Sequence, residues 1–243
     1  MIVFVHGVPE TAALWDHIRS RLPRPSRALS MPGFDGARPE GFGATQNDYV
    51  DWLLAELDHI EEPIDLVGHD WGAALTYRVA SAFGDRLHSW VADVGNIIHP
   101  HYQWHDFAKI WQTPGAGEAW VENTNAQTPS ERAGPFEFMG VPAGDALAMA
   151  TAFDATMGAC IVDLYRSATP NLHDHWGPWS PTAAPGLVLH ASEDPFGDET
   201  LATEVAEALG ARFATITGAG HFWPYQYPAE ALAVLNGFWA ALD

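Results

Sequence analysis

The segment "LVGHDWGAA", Leu66 to Ala74, decides how this chain is to be read. An apolar run, "IDLVG" (64–68), leads into it, and "GAALTYRVASAFG" (72–84) leads out. The first reads as a buried strand and the second as a helix closed by Gly84. Between them Gly68 and Gly72 bracket Asp70. Small residues at Gly68, Gly72 and Ala73 permit a tight, strained turn that lifts residue 70 above the sheet edge. A helix beginning there aims its N–H groups and its positive end at the apex, which keeps a carboxylate ionised and oriented.

Outward from this elbow the same alternation repeats. "IVFV" (2–5), "RALSM" (27–31), "LHSWVADVG" (87–95), "GLVLHA" (186–191) and "RFATI" (212–216) read as further strands. Helices are expected at 12–22, 46–60, near 199–209 and from 228 to 242, the second from apolar residues at Tyr49, Trp52, Leu53, Leu57 and Ile60. Strand and helix in alternation imply an α/β fold with a mostly parallel sheet covered by helices. The alternation stops after Asn96 and resumes at Gly186. Residues 1–96 and 186–243 therefore read as one core, and 97–185 as an inserted helical cap over the carboxyl edge of the strands. Five tryptophans fall inside the insertion: Trp104, Trp111, Trp120, Trp176 and Trp179. Flat rings in such numbers suit an apolar pocket.

The composition narrows the partners. Eleven basic residues against 31 acidic ones give a formal charge of −20, and Lys109 is the one lysine. Such a surface repels phosphates, so neither nucleic acid nor an anionic membrane is an expected partner. No apolar run approaches the ~18 residues of a membrane span. The opening "MIVFVHG" lacks a basic leader and runs straight into a strand. A single cysteine, Cys160, allows no internal disulfide and fits a reducing, cytoplasmic setting. A homodimer is left open.

A carboxylate nucleophile attacks an electrophilic carbon and forms an ester; a histidine must then activate water to break that ester. "TGAGHFWP" supplies His221 in a glycine-rich turn after the last strand, and "ASEDP" supplies Asp194 after the strand before it. Asp194 could hold His221 in the required tautomer. The chain order Asp70, Asp194, His221 is the order of nucleophile, acid and base on α/β-hydrolase scaffolds. "VHGVP" (5–9), after the first strand, can offer the N–H of Val8, which with the N–H of Trp71 would make an oxyanion hole.

With "HGVPET", "GHDWGA", "ASEDP" and "GAGHF" in place, the chain resembles the α/β-hydrolases that use an aspartate nucleophile, the epoxide hydrolases and haloalkane dehalogenases. The resemblance runs from Ile2 to Leu242 and begins at what the family counts as its third strand. It implies Asp70 as nucleophile, His221 as base, Asp194 as supporting acid, no cofactor, and a small apolar organic substrate. Some dehalogenases carry the acid after the preceding strand; that place falls near Asn96, which is no acid.

The two activities differ in the leaving group. An opening epoxide becomes an alkoxide and needs a proton, whereas a halide departs as an anion and needs only N–H donors. "HGVPET" and "DFAKIWQTPGAGEAW" (106–120) resemble the epoxide-hydrolase side, so hydration of an epoxide to a diol is the leading expectation and dehalogenation the alternative. A non-catalytic ligand-binding protein on the same scaffold is the third, since fold does not fix function. The family's first cap tyrosine would fall at Phe107, and its second upstream of Tyr165, near Met149 to Phe153, where there is no tyrosine. Tyr165 and Tyr102, the tyrosines of the insertion, are left as candidate donors. Haloacetates do not fit, because the positions beside Asp70 hold no arginine to pair with a substrate carboxylate. The histidines His99, His101, His105, His173 and His175 read as pocket or surface polarity rather than as metal ligands, because their spacing comes without cysteine.

Overall fold

The computed structural model describes residues 1–242. Six strands form one parallel sheet: β1 (Ile2–Val5), β2 (Ser26–Leu29), β3 (Ile64–Gly68), β4 (Leu87–Ala92), β5 (Gly186–Ala191) and β6 (Arg212–Ile216). Their spatial order is β2-β1-β3-β4-β5-β6. β1 pairs with β2 on one side and β3 on the other, so the connections reverse direction beside β1. Open α/β sheets place ligands at such a reversal, outside the carboxyl ends of the strands.

Side chains alternate across the sheet because successive residues of a strand face opposite ways. Val3, Val5, Leu66, Trp90 and Val188 enter a core shared with α2 (Gln46–Asp58), α3 (Trp71–Phe83) and α10 (Glu199–Leu209). Ile2, Phe4, Val67, Leu187 and Ile216 enter the opposite core, packed on α1 (Asp16–Arg19), α11 (Trp223–Gln226) and α12 (Pro228–Trp239). With both faces covered, the strands are near-continuous apolar runs, as β3 and β5 are.

The elements match the sequence reading with informative differences. The helix expected at 12–22 is a 3₁₀ turn, Ala12–Trp15, followed by the single turn of α1, because Thr11 caps it at one end and Pro23 stands close beyond the other. The strand expected to reach Gly95 ends at Ala92, because Asp93 and Val94 turn away, Val94 at φ 39°. That turn carries Asp93, described below. The last helix ends at Trp239, three residues short of the expected 242.

Between β4 and β5 lie α4 (Asp106–Gln112), α5 (Ala116–Ala126), α6 (Pro129–Phe138), α7 (Ala143–Ala152), α8 (Ala155–Ser167) and α9 (Leu172–Trp176). Their starts are encoded locally: Thr128, Asp154 and Asn171 each cap a helix through a side-chain oxygen. Trp104, Trp111, Tyr165 and Trp176 are buried with the same core as α2 and α3, which fixes this segment to the sheet. Among the described residues no single helix is long and apolar enough to cross a membrane.

Candidate active site

Asp70 stands at the join of β3 and α3 with φ 52° and ψ −117°. That backbone conformation is unfavourable for a residue with a side chain and persists only where the surroundings enforce it. The enforcement is close packing. A Cβ on Gly68 would lie 2.2 Å from the carbonyl oxygen of Gly72, and one on Gly72 would lie 2.2 Å from that of Val5. Only glycine at both positions lets the elbow close against β1.

The loop after β1 faces the apex. The Val8 N–H donates to Asp70 Oδ1 at 2.9 Å. Asp70 is buried, and burial raises its pKa to about 6, with the His221 charge pulling it down and Glu10 pushing it up. The Val8 N–H also favours the ionised form.

His221 and Asp194 meet as expected. His221 Nδ1–H donates to Asp194 Oδ2 at 2.9 Å, and both side chains are nearly inaccessible to solvent. The other oxygen of Asp194 accepts from the Phe196 N–H at 2.9 Å. Burial alone would raise Asp194 and lower His221. The attraction between them outweighs it, holding Asp194 below and His221 above their ordinary values. This fixes the proton on Nδ1, so Nε2 is the atom left to accept a proton from water.

A buried network lies behind the elbow, and the sequence reading did not find it. Asp93, in the turn after β4, accepts the Asp70 N–H on Oδ1 at 2.9 Å and the Trp223 indole N–H on Oδ2 at 2.6 Å. His69 lies between two carboxylates, with Nδ1 on Asp93 Oδ2 at 2.5 Å and Nε2 on Glu10 Oε1 at 3.0 Å. Glu10 Oε2 accepts from the Gly7 N–H at 2.8 Å, tying the Val8 loop to the same network. Burial opposes a charge on His69, but Asp93 and Glu10 together raise its pKa well above the ordinary value. The signal was present as an acid closing an apolar strand, "VADVG". Asp93 binds the elbow and His69 rather than His221. Asn96 instead donates to the Phe196 carbonyl at 2.8 Å.

Asp70 and His221 open onto a cavity of about 280 Å³. Its walls are largely apolar: Val8 and Pro9 from the β1 loop, Phe196 and Phe222 from the β5 and β6 loops, and Trp111, Trp120, Met139 and Phe153 from the inserted helices. Tyr165 of α8 also lines it, and its hydroxyl makes no hydrogen bond to an acceptor among the described residues. Near Met149 to Phe153, where the resemblance sought a donor, Met149 is buried outside the cavity and Phe153 contributes only a ring. Burial, and then the Asp70 charge, raise the Tyr165 pKa well above the ordinary phenol value, so the hydroxyl keeps its proton. The Trp71 indole N–H approaches the Tyr165 oxygen but makes no hydrogen bond of ordinary geometry. Tyr102 packs edge-on against Trp104 with ring centres 5.2 Å apart and does not line the cavity. Phe107 lies at the rim, 54% exposed.

The histidines of the insertion do not converge. His99 Nε2 pairs with Glu204 at 3.0 Å, His175 Nε2 bonds the Thr169 carbonyl at 2.8 Å, and of the five only His105 lines the cavity. Glu10, His69 and His221 bring ligand-type atoms within 4.8 Å of one another. Both nitrogens of His69 and one of His221 are already committed to carboxylates, so the group is a hydrogen-bond network first.

A model of the alpha/beta hydrolase family matches residues 2–235. A haloalkane dehalogenase of Mesorhizobium japonicum is 26% identical over 136 residues, covering 51% of this chain and 43% of that protein. The coelenterazine h 2-monooxygenase of Renilla reniformis is 27% identical over 112 residues, covering 43% of this chain and 36% of that protein. The chain thus aligns with less than half the length of these relatives. Among solved structures, an inhibitor-bound epoxide hydrolase of Bacillus megaterium superposes with a TM-score of 0.82 at 16% identity, over 98% of this chain and 93% of that one. Haloalkane dehalogenase DbeA of Bradyrhizobium elkani gives 0.74 at 20% identity, over 99% and 91%. At such identities the superpositions establish the fold, and the family match across nearly the whole sequence establishes descent: the chain belongs to the alpha/beta hydrolase family.

Proposed function

We propose that this protein is an epoxide hydrolase that works through an ester on Asp70 and releases a diol. The observation that carries the reading is Tyr165, whose hydroxyl makes no hydrogen bond to a protein acceptor in the cavity that also holds Asp70 and His221. A halide needs no proton, but an epoxide oxygen does, and Tyr165 is protonated at any ordinary pH.

Asp70 Oδ1 is held by Val8, so Oδ2 is the attacking atom. It bonds to an epoxide carbon as the carbon–oxygen bond breaks and its electron pair moves to oxygen. The Tyr165 proton passes to that oxygen, and the Trp71 indole N–H lies near the phenolate left behind. His221 Nε2 then takes a proton from water. The hydroxide attacks the ester carbonyl, and the oxyanion sits between the N–H groups of Val8 and Trp71. Collapse frees the diol and regenerates the Asp70 carboxylate. The proton on His221 returns to Tyr165 through solvent, which closes the balance.

The segment 97–185 acts as the cap, because it supplies Tyr165 and most of the apolar wall. The cavity suits a small, largely apolar substrate, being close to the lower end of the about 300–1,000 Å³ of ordinary ligand pockets.

Dehalogenation is the second reading. It is favoured by the indole N–H of Trp111, a residue of the cavity wall, which has no protein acceptor and could hold a halide. A parallel assay separates the two. Diol from styrene oxide without halide from a bromoalkane panel supports the hydrolase; halide without diol supports the dehalogenase. Neither product, with ligand affinity retained by Asp70→Asn, would make the protein a non-catalytic binder.

A further inference from the structure

We propose that Gln226 is a positioning residue for His221: its side-chain amide clamps the turn that carries the base to the inserted hairpin α6–α7. This rests on the reading of His221 as the base that opens an ester on Asp70. Gln226 ends α11, the short helix that follows His221. Its Oε1 accepts the Gly220 N–H at 2.8 Å, and its Nε2 donates to the Met139 carbonyl at 2.6 Å. One partner is a donor and the other an acceptor, so the amide can lie only one way round. Gly220 immediately precedes the base in the chain, while Met139 closes α6 and lines the cavity.

The amide fills a slot that two glycines leave open. A Cβ on Gly140, which has φ 84°, would lie 2.6 Å from Gln226 Nε2, and one on Gly220 would lie 3.2 Å from the same atom. A second contact joins the hairpin to the turn. Phe222, on the other side of His221, meets Phe136 of α6 edge-on with ring centres 5.8 Å apart. The hairpin therefore grips both chain neighbours of the base, one through the amide and one through a ring. The core holds the same turn elsewhere: the Gly218 N–H donates to Ser192 Oγ at 2.8 Å, and the Glu193 N–H to the Ala219 carbonyl at 2.8 Å. Asp194 orients the imidazole through Nδ1, but where Nε2 stands depends on the backbone of this turn. A general base must lie within hydrogen-bond reach of the water it activates, and a misplacement of about 1 Å costs about 10²-fold. Gln226 makes that placement depend on the hairpin being seated over the cavity.

The test uses Gln226→Met and Gln226→Glu. Methionine keeps the length of the side chain and removes both bonds. Glutamate keeps an acceptor for the Gly220 N–H and loses the donor to Met139. Each protein is loaded with styrene oxide or 1-bromobutane, and formation and loss of the Asp70 ester are followed by intact mass. Loss is measured on the alkaline plateau of its rate, where the charge on glutamate no longer alters the ionisation of His221. Thermal midpoints report folding. The expected result is hydrolysis about 10- to 100-fold slower for Gln226→Met, a smaller loss for Gln226→Glu, and alkylation unchanged in both, because attack by Asp70 does not use the base. A general loosening of the hairpin would instead slow alkylation and raise KM. Unchanged hydrolysis in a folded Gln226→Met, hydrolysis at the wild-type rate in Gln226→Glu, or alkylation slowed as much as hydrolysis would overturn the inference. A wild-type protein that forms no ester with either substrate would overturn the reading of Asp70 and His221 itself, and this inference with it.

Discussion

The backbone N–H of Val8 and Oδ1 of Asp70 lie 2.9 Å apart, joining positions 62 residues distant in sequence. The contact exists because β1 and β3 are neighbours at the point where the sheet's connections reverse. It singles out one carboxylate oxygen and leaves the other free. It also places a donor where an ester oxyanion would form.

Gly7→Ala should break this relationship. A Cβ at residue 7 would lie 2.3 Å from both Cβ and Oδ1 of Asp70, so either the loop or the nucleophile must move. Loss of one oxyanion donor costs about 10²–10³ in kcat. Steady-state turnover of styrene oxide should fall by that order, with the thermal midpoint recorded in parallel to separate displacement from unfolding.

Tyr165→Phe removes the phenol hydroxyl that lines the cavity. Alkylation should slow by about 10²–10⁴-fold, the ordinary contribution of a general acid, while hydrolysis of the ester continues. The single-turnover rate shows this directly. Tyr102→Phe, at a ring outside the cavity wall, should leave alkylation unchanged.

The two steps should respond differently to acid. Alkylation needs ionised Asp70, whose pKa is about 6, so its rate should fall as pH drops through that value. Hydrolysis needs neutral His221, which Asp194 holds above its ordinary 6.5 although burial opposes it. The hydrolysis limb should therefore lie at higher pH than the alkylation limb, and the ester should accumulate between them. Quenched-flow mass spectrometry across pH 5–9 would show it; coincident limbs would contradict it.

Asp93→Asn should destabilise the fold rather than simply slow catalysis. An amide cannot accept from both Trp223 and Asp70 and still face a protonated His69, so at least one buried donor or charge is stranded. Breaking a buried ion pair in this way costs about 3–5 kcal/mol, readable by denaturant unfolding. The same network gives a pH signature. The His69 pKa is raised on folding, so its contribution is complete below about 6.5 and is lost as pH rises through the higher folded-state value. Stability should decline on the alkaline side in the wild type, and that decline should be shallower in Asp93→Asn.

Much of this was legible in the sequence because it is local. The elbow rests on glycines beside Asp70, and strand–helix alternation gives the parallel sheet. His221 and Asp194 follow from their places after β6 and β5. What escaped depends on distant parts meeting. Asp93 looked like part of a strand, and its purpose appears only when β4 is laid beside β3, so that it reaches the Asp70 N–H. Glu10 was visible inside "HGVPET" but had no partner until His69 stood opposite. Tyr165 stood in the sequence only as one of two candidate donors, beside Tyr102, because the register of a helical insertion is set by tertiary packing rather than by pattern.

The central claim is that Asp70 itself becomes the ester. Several turnovers of styrene oxide in ¹⁸O-labelled water, followed by proteolysis and mass spectrometry of the peptide carrying Asp70, test it most directly. Hydroxide attack at the ester carbonyl leaves solvent oxygen in the carboxylate, so the account predicts heavy oxygen in Asp70 and unlabelled Asp194. Diol formed with Asp70 free of label would contradict it, because water would then have attacked the epoxide without a covalent intermediate.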